Sequence, residues 1–342
     1  MAMSHESQVN SKSKEQILST LKPKNYIPLR ISVRREDIFE DSIAFFKKRD
    51  YDINKPVVIC FEGEAAVDGG GPGREYFTLL LKSILSPCTQ FKLFEGTSFI
   101  VQPLHNTGAL RASMFKVVGR MIAASIVNGG PSFPYLSPAV YKYLTSKSTE
   151  NVLPDITRSD VVDYEVLQAI DKIDAATVDN IKEVYSEVQT LLAEAGFPQV
   201  LSVSNKLEAI TALCVHSVIL SRKAELDQFA VGLGPVLGVA MKYPDMMKSV
   251  FVSCSEPASV DQSDRLPGLL MFCTGVNQIP PLGFHSPDKI TVLELQPECG
   301  PLPNANTCPQ ELELPCMHDN FEDFKESLNK ALDIQGSGFG IV

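Results

Sequence analysis

The sequence predicts an α+β fold, on three observations. Helix-like and strand-like stretches follow one another in mixed order, without the strand–helix–strand rhythm of a parallel sheet. No internal repeat is visible, which excludes a solenoid. The chain has 342 residues, enough for two cooperating lobes with real cores. A polar, proline-containing stretch, Cys254 to Asp264, is the natural place to divide them.

Residues 1–25 are polar and carry Lys12, Lys14, Lys22 and Lys24, so a disordered tail is expected there. They lack the apolar core of a signal peptide. Ile27 to Val33 alternates as a strand does, and Pro56 to Phe61 (PVVICF) reads as a short buried strand. Asp68-Gly69-Gly70-Gly71-Pro72-Gly73-Arg74-Glu75 is a glycine-rich turn, capped by Asp68, that opens a helix through Tyr76 to Leu81. Leu110, Met114, Val117, Val118, Met121, Ile122 and Ile126 fall on one face of a single long helix. Glu165 to Leu192 is helix-like with mixed charge. Leu207, Ile210, Leu213, Cys214, Val218 and Leu220 mark another amphipathic helix.

Met246 to Val252 is mainly apolar, and Leu266 to Thr274 reads as a helix whose start Pro267 restricts. Ile290 to Leu295 (ITVLEL) is a strand. Pro297, Gly300, Pro301 and Pro303 keep the chain irregular up to Cys308. Phe321, Phe324, Leu328, Ala331 and Leu332 form a terminal helix, with Asp319 and Glu322 as its capping box.

Composition narrows the function classes. A formal charge of −10 argues against a nucleic-acid or anionic-membrane surface as the main partner, because phosphate binding needs a basic face. No run approaches the roughly 18 apolar residues of a membrane span. The eight cysteines are dispersed and form no CxxC pair, so no zinc or other metal site is expected. That usage suits a reducing, intracellular compartment, cytoplasm or nucleus. No cofactor motif is present: the glycine-rich turn lacks both the Gly-Lys-Ser/Thr ending of a nucleotide loop and the GxGxxG order, and reads as structural.

Cys308 differs from the other cysteines. It sits in Leu302-Pro303-Asn304-Ala305-Asn306-Thr307-Cys308, a Pro/Asn-rich loop followed by a short apolar run and a helix. Small polar neighbours leave its sulfur accessible, and an accessible thiolate suits acyl relay. No Lys or Arg lies near it in sequence. His318 and Asp319 follow by ten and eleven residues, so a Cys308–His318 hydrolase is a further reading.

Four ordered motifs bring a family into view. LPNANTC, followed by Leu312-Glu313-Leu314-Pro315, resembles the active-site loop of HECT-type ubiquitin ligases. The ending Gly338-Phe339-Gly340-Ile341-Val342 resembles that family's terminus, with Phe fourth from the end. LLMFCTGVNQIPPLGF, residues 269–284, is similar to the family's segment before its small lobe. Phe61-Glu62-Gly63-Glu64, Asp68-Gly69-Gly70 and Arg74-Glu75-Tyr76-Phe77 are similar to its large-lobe signature. The likeness runs from about residue 28 to the end and looks closest to the G2/M phase-specific branch.

The resemblance implies a bilobal HECT-like domain: a large, mostly helical N-lobe at 26–252, a shortened interlobe linker at 253–264, and a small α/β C-lobe at 265–342 that bears the catalytic Cys308. It implies a transferase that takes ubiquitin as a thioester on Cys308 from a ubiquitin-conjugating enzyme and passes it to lysines of a protein substrate. Asn306 and Thr307 match loop positions that would orient the thioester, and Phe339 matches the Phe that places the small lobe. Glu313, His318 and Asp319 are candidate general bases by proximity. Pro309 and Gln310 stand where the family commonly has Phe-Asn, and the stretch between Val252 and Leu266 is short where the family usually has several dozen residues. Residues 148–199 bear little likeness to the subdomain that grips the conjugating enzyme. A catalytically inactive, ubiquitin- or partner-binding HECT-like module is therefore the alternative.

Overall fold

The computed structural model describes residues 14–24, 27–64, 69–86, 92–253, 265–284, 289–296, 298 and 300–334. Asp68, the 254–264 stretch and Phe339 lie outside the described residues. The chain is α+β: helices carry most of the described residues, which also form three small, separate sheets.

α1 (Lys14–Ser19) is a correction to the expected disordered tail. Ile17, Leu18 and Leu21 are buried, a helical spacing of apolar residues that the surrounding lysines mask in a composition reading. β1 (Leu29–Val33) and β2 (Val57–Phe61) pair in parallel, Leu29 opposite Val57 and Val33 opposite Phe61. Val57, Ile59 and Phe61 point inward while Cys60 faces out, as a period of two requires. α2 (Ile38–Phe46) connects the two strands, burying Phe39, Phe45 and Phe46.

α3 (Gly71–Leu85) starts where the glycine-rich turn ends. Gly70, its N-cap residue, has φ of 111°, which only glycine adopts at low cost, and Pro72 stands in the first turn. A short hairpin follows, β3 (Phe94–Gly96) with β4 (Val101–Pro103).

The single helix expected across 110–126 is two: α4 (Thr107–Arg111) and α5 (Met114–Val127). The break falls at Ser113, with φ of 57°. Its cause is tertiary. Gln228 donates from Nε2 to Leu110 O at 3.0 Å, and its Oε1 accepts from Phe115 N at 3.1 Å and Lys116 N at 3.4 Å. One side chain thus satisfies the orphan groups on both sides of the break.

α6 (Pro138–Ser146) follows. The helix-like stretch over 165–192 is two helices, α7 (Tyr164–Ala175) and α8 (Ile181–Glu194). Lys206 Nζ donates to Ala176 O at 2.8 Å beyond the end of α7, and the Asn180 carboxamide accepts from Thr177 N at 2.7 Å before α8. In α9 (Lys206–Val218), Leu213, Cys214 and Val218 are buried as expected, but Leu207 and Leu220 are exposed.

α10 (Lys223–Lys242) crosses α5 at two glycines. A Cβ on Gly232 would overlap Lys116 O and stand 2.8 Å from Gly119 Cα, so the backbones touch. Residues 203–242 form the one helical stretch among those described that is long and apolar enough to cross a membrane by length and composition. The turn at Leu220–Arg222 and the non-helical Gly234, followed by Pro235, interrupt it. Leu226, Phe229, Leu233 and Val236 spend their apolar surface inside the core.

α11 (Pro244–Phe251) closes the main core, which runs from Leu18 to Val252. Beyond it, buried Cys273, Val276, Leu295, Leu312, Ala331 and Leu332 lie outside that cluster. They come from α12 (Leu266–Thr274) and the residues just after it, and from β5 (Thr291–Leu295), β7 (Glu311–Pro315) and α13 (Phe321–Ile334). β6 (Asn304–Asn306) falls where an irregular chain was expected. The sheet order is β5-β7-β6, with β5 parallel and β6 antiparallel to β7. At the start of α13 the cap is shifted by one residue: Asn320 Oδ1 accepts from Asp323 N at 3.0 Å and its Nδ2 donates back to Asp323 at 2.8 Å. Asn320 and Asp323 take the places expected for Asp319 and Glu322.

Candidate active site

Cys308 lies in the turn of the β6–β7 hairpin. Asn304 pairs with Glu313 and Asn306 with Glu311, which leaves residues 307–310 to reverse the chain. Gln310 completes the turn with φ of 61°, and its carbonyl accepts from Thr291 N at 2.9 Å, tying the turn to β5. Pro309 is exposed and Cys308 is partly exposed. Cys214 and Cys273 contrast with it. Both are buried, and burial pushes each thiol up to about 11, which keeps it protonated near neutrality.

The other side of the site comes from the glycine-rich turn, some 235 positions earlier. A Cβ on Gly69 would stand 3.1 Å from Cys308 Sγ and 3.4 Å from its Cβ. A Cβ on Gly71 would overlap the Thr307 hydroxyl and stand 3.2 Å from Cys308 N. The glycines are what allow the Cys308 turn to rest on the start of α3. Arg74, buried in the first turn of α3, donates from Nε to Thr274 O at 2.6 Å and from Nη2 to Thr307 O. Thr78 adds a bond from Oγ1 to Gly275 O at 2.9 Å. Further along, Gln278 Nε2 donates to Ser132 O at 3.1 Å.

An ionic cluster lies under that first turn. Arg35 donates to both oxygens of Glu75, at 2.8 and 3.1 Å, and to both oxygens of Glu64. Its guanidinium sits 4.2 Å above the Phe61 ring. Burial works against the charge, but the bonds from Glu64 and Glu75 outweigh it and hold the Arg35 guanidinium above its ordinary pKa. The motif residues Phe61, Glu64 and Glu75 therefore meet on one arginine that sequence reading did not single out.

Of the residues singled out from sequence, the structure brings Asn306, Thr307 and Cys308 together on one hairpin. Glu313 sits on β7 and accepts from Asn304 Nδ2 at 3.2 Å. His318 Nε2 is engaged with Pro301 O at 2.9 Å, and its ring stands edge-on to Phe324. Asp319 is exposed. Among the described residues no hydrogen bond joins any of these three to Cys308, and His318 Nε2 is taken up by Pro301 O. Arg74 is the residue sequence reasoning missed: it lies in the glycine-rich motif, but nothing in one dimension shows it reaching the Cys308 turn. Among the described residues no group of three or more His, Cys, Asp and Glu side chains is placed to hold a metal ion.

The family model described as HECT-domain (ubiquitin-transferase) matches residues 78–256 and 240–342, most of the chain. The chain belongs to the HECT family. Among its HECT relatives, a Neurospora crassa protein named E3 ubiquitin-protein ligase TOM1-like is 26% identical over 93% of this chain and 9% of its own length. A Macaca fascicularis protein named G2/M phase-specific E3 ubiquitin-protein ligase is 25% identical over 88% of the chain and 46% of its own length. Saccharomyces cerevisiae E3 ubiquitin-protein ligase TOM1 is 25% identical over 92% and 11%. The chain thus spans less than half the length of these HECT relatives. Its alignment with the Neurospora protein occupies 367 positions, more than the 342 residues present, so that relative carries segments this chain lacks.

Proposed function

We propose that this chain is the ubiquitin-transferring domain of a HECT-type ligase, with Cys308 as the acceptor. Its division into an N-lobe at 26–252, a short linker at 253–264 and a C-lobe at 265–342 is part of the same reading. The observation that carries it is the partly exposed Cys308 in a hairpin turn built from the LPNANTC motif. The chemistry is two acyl transfers. The Cys308 thiolate adds to the carbonyl of a conjugating enzyme's ubiquitin thioester, and the donor cysteine leaves as thiolate. A substrate lysine amine then adds to the Cys308 thioester, gives up a proton, and expels Cys308 as thiolate, leaving an isopeptide bond. Asn306 and Thr307 flank the sulfur and shape the turn; Phe339 would help place the C-lobe. An outside base must take the lysine proton. Glu313 on β7 and Asp319 before α13 are the candidates whose side chains are not already tied to a main-chain carbonyl, as His318 is.

The test is a thioester assay of the full chain against a panel of charged conjugating enzymes, read on gels with and without reductant. A ubiquitin adduct that reductant removes and Cys308→Ala abolishes is expected. No adduct with any donor would refute acceptance on Cys308. A second reading, an inactive module that binds ubiquitin or a partner, is favoured by Pro309, which removes a main-chain donor beside the sulfur. It predicts ubiquitin binding that Cys308→Ala leaves unchanged.

A further inference from the structure

We infer that Arg74 is a positioning residue that latches the Cys308 turn onto the start of α3, so that this docked arrangement is a resting state from which the turn must lift to meet a protein-sized donor. Its meaning for catalysis rests on the proposed role of Cys308 as acceptor; the geometry does not.

Three observations carry it. Arg74 is buried, yet both of its named partners are main-chain carbonyls from distant segments, Thr274 O at the end of α12 and Thr307 O beside the sulfur. One guanidinium therefore fixes the position of the turn whatever side chains the turn carries. The bed is shaped to the turn: a methyl group on Gly71 would overlap Thr307, and one on Gly69 would crowd Cys308 at 3.1 Å. Thr78 and Gln278 add bonds along the same seam, to Gly275 and Ser132. Cys308 is partly exposed as a residue, which leaves a small electrophile a way in that a folded donor lacks. A thioester carried on a folded enzyme must approach with a broad surface, and the α3 turn occupies one flank of the sulfur. Access by size, not by thiol chemistry, is what the latch controls.

The experiment alkylates the full-length chain with iodoacetamide and, in parallel, with a maleimide on a large polyethylene glycol, and follows Cys308 by peptide mass spectrometry. The proteins are wild type, Arg74→Ala, Arg74→Lys, Gly71→Ala, and Gly71→Ala with Thr307→Ala. Loss of a charge-assisted bond shifts an opening equilibrium by about tenfold or more, and labelling by the large reagent follows the open population. Arg74→Ala and Gly71→Ala should therefore raise the large-reagent rate at Cys308 about tenfold, with the iodoacetamide rate within about twofold of wild type. Arg74→Lys should fall between, because an ammonium cannot span both carbonyls. Thr307→Ala should cancel part of the Gly71→Ala gain by removing the hydroxyl that the new methyl strikes.

A merely structural Arg74 would change both reagents alike. Large-reagent rates equal to wild type in both Arg74→Ala and Gly71→Ala, with unchanged circular dichroism, overturn the latch. If Arg74→Ala does not fold, Gly71→Ala decides alone. If the size-selective pattern appears but no variant forms a ubiquitin thioester, the latch stands and the acceptor role of Cys308 falls.

Discussion

Replacing Arg35 by Met removes a cation that Glu64 and Glu75 share. The wild-type guanidinium makes four bonds to the two carboxylates and rests on Phe61. Glu75 is only 6% exposed, so without Arg35 a carboxylate is left nearly dry beside a second one. Removing one partner of a buried pair costs about 3–5 kcal/mol. The Arg35 and Glu64 side chains keep 20% and 17% of their exposure, which places the expected loss at the lower end, about 3 kcal/mol. That is a large share of the roughly 5–15 kcal/mol that holds a typical domain folded.

Urea unfolding at pH 7 measures it directly. Restoring neutrality with Arg35→Met, Glu64→Gln and Glu75→Gln together should recover most of the loss. A single-variant loss under about 1 kcal/mol, or a triple variant no better than the single, would refute the account of the first turn of α3 as resting on a charge-balanced base.

Other consequences are as direct. Gly232→Ala should destabilise by about 2 kcal/mol or more, because the new methyl meets backbone of α5 on two sides; Gly238→Ala, with open space around it, should be neutral or slightly stabilising, and thermal melts of the pair separate packing from helix propensity. Cys214 and Cys273 have folded thiols near 11 against about 8.5 unfolded. An acid with a raised folded pKa loses stability as pH rises through that window, so alkaline unfolding should begin earlier in wild type than in a Cys214→Ser, Cys273→Ser variant once their neutral-pH stabilities are matched. At Asp227, burial raises the carboxyl, but bonds from Lys223 and Tyr143 outweigh it and hold it below the usual range. Its contribution is present above about pH 4 and lost as pH falls through the lower folded value, so Asp227→Asn should flatten the acid limb of the stability profile. Gln310→Leu removes a buried Oε1 that has no hydrogen-bond partner among the described residues while keeping most of the volume, and should raise stability by about 1 kcal/mol; no gain in denaturant midpoint would count against that assignment.

The sequence by itself determined what depends on local pattern. Alternation marked β1 and short apolar runs marked β2, β5 and α12; apolar faces at helical spacing marked α5, α9 and α13; the LPNANTC string marked Cys308, and the ordered motifs marked the family. These are readable because the physics acts between near neighbours along the chain. Tertiary contact decided the rest. Gln228, more than a hundred positions away, breaks the 110–126 helix, and Lys206 closes α7. Gly119 and Gly232 are a crossing point only because α5 and α10 meet there. Above all, Arg74 and Gly69–Gly71 reach the Cys308 turn across more than two hundred residues, where a bond to a main-chain carbonyl leaves no trace in the identity of its partner. Spacing along a chain encodes helices, strands and motifs; it does not encode which distant backbone a buried guanidinium will hold.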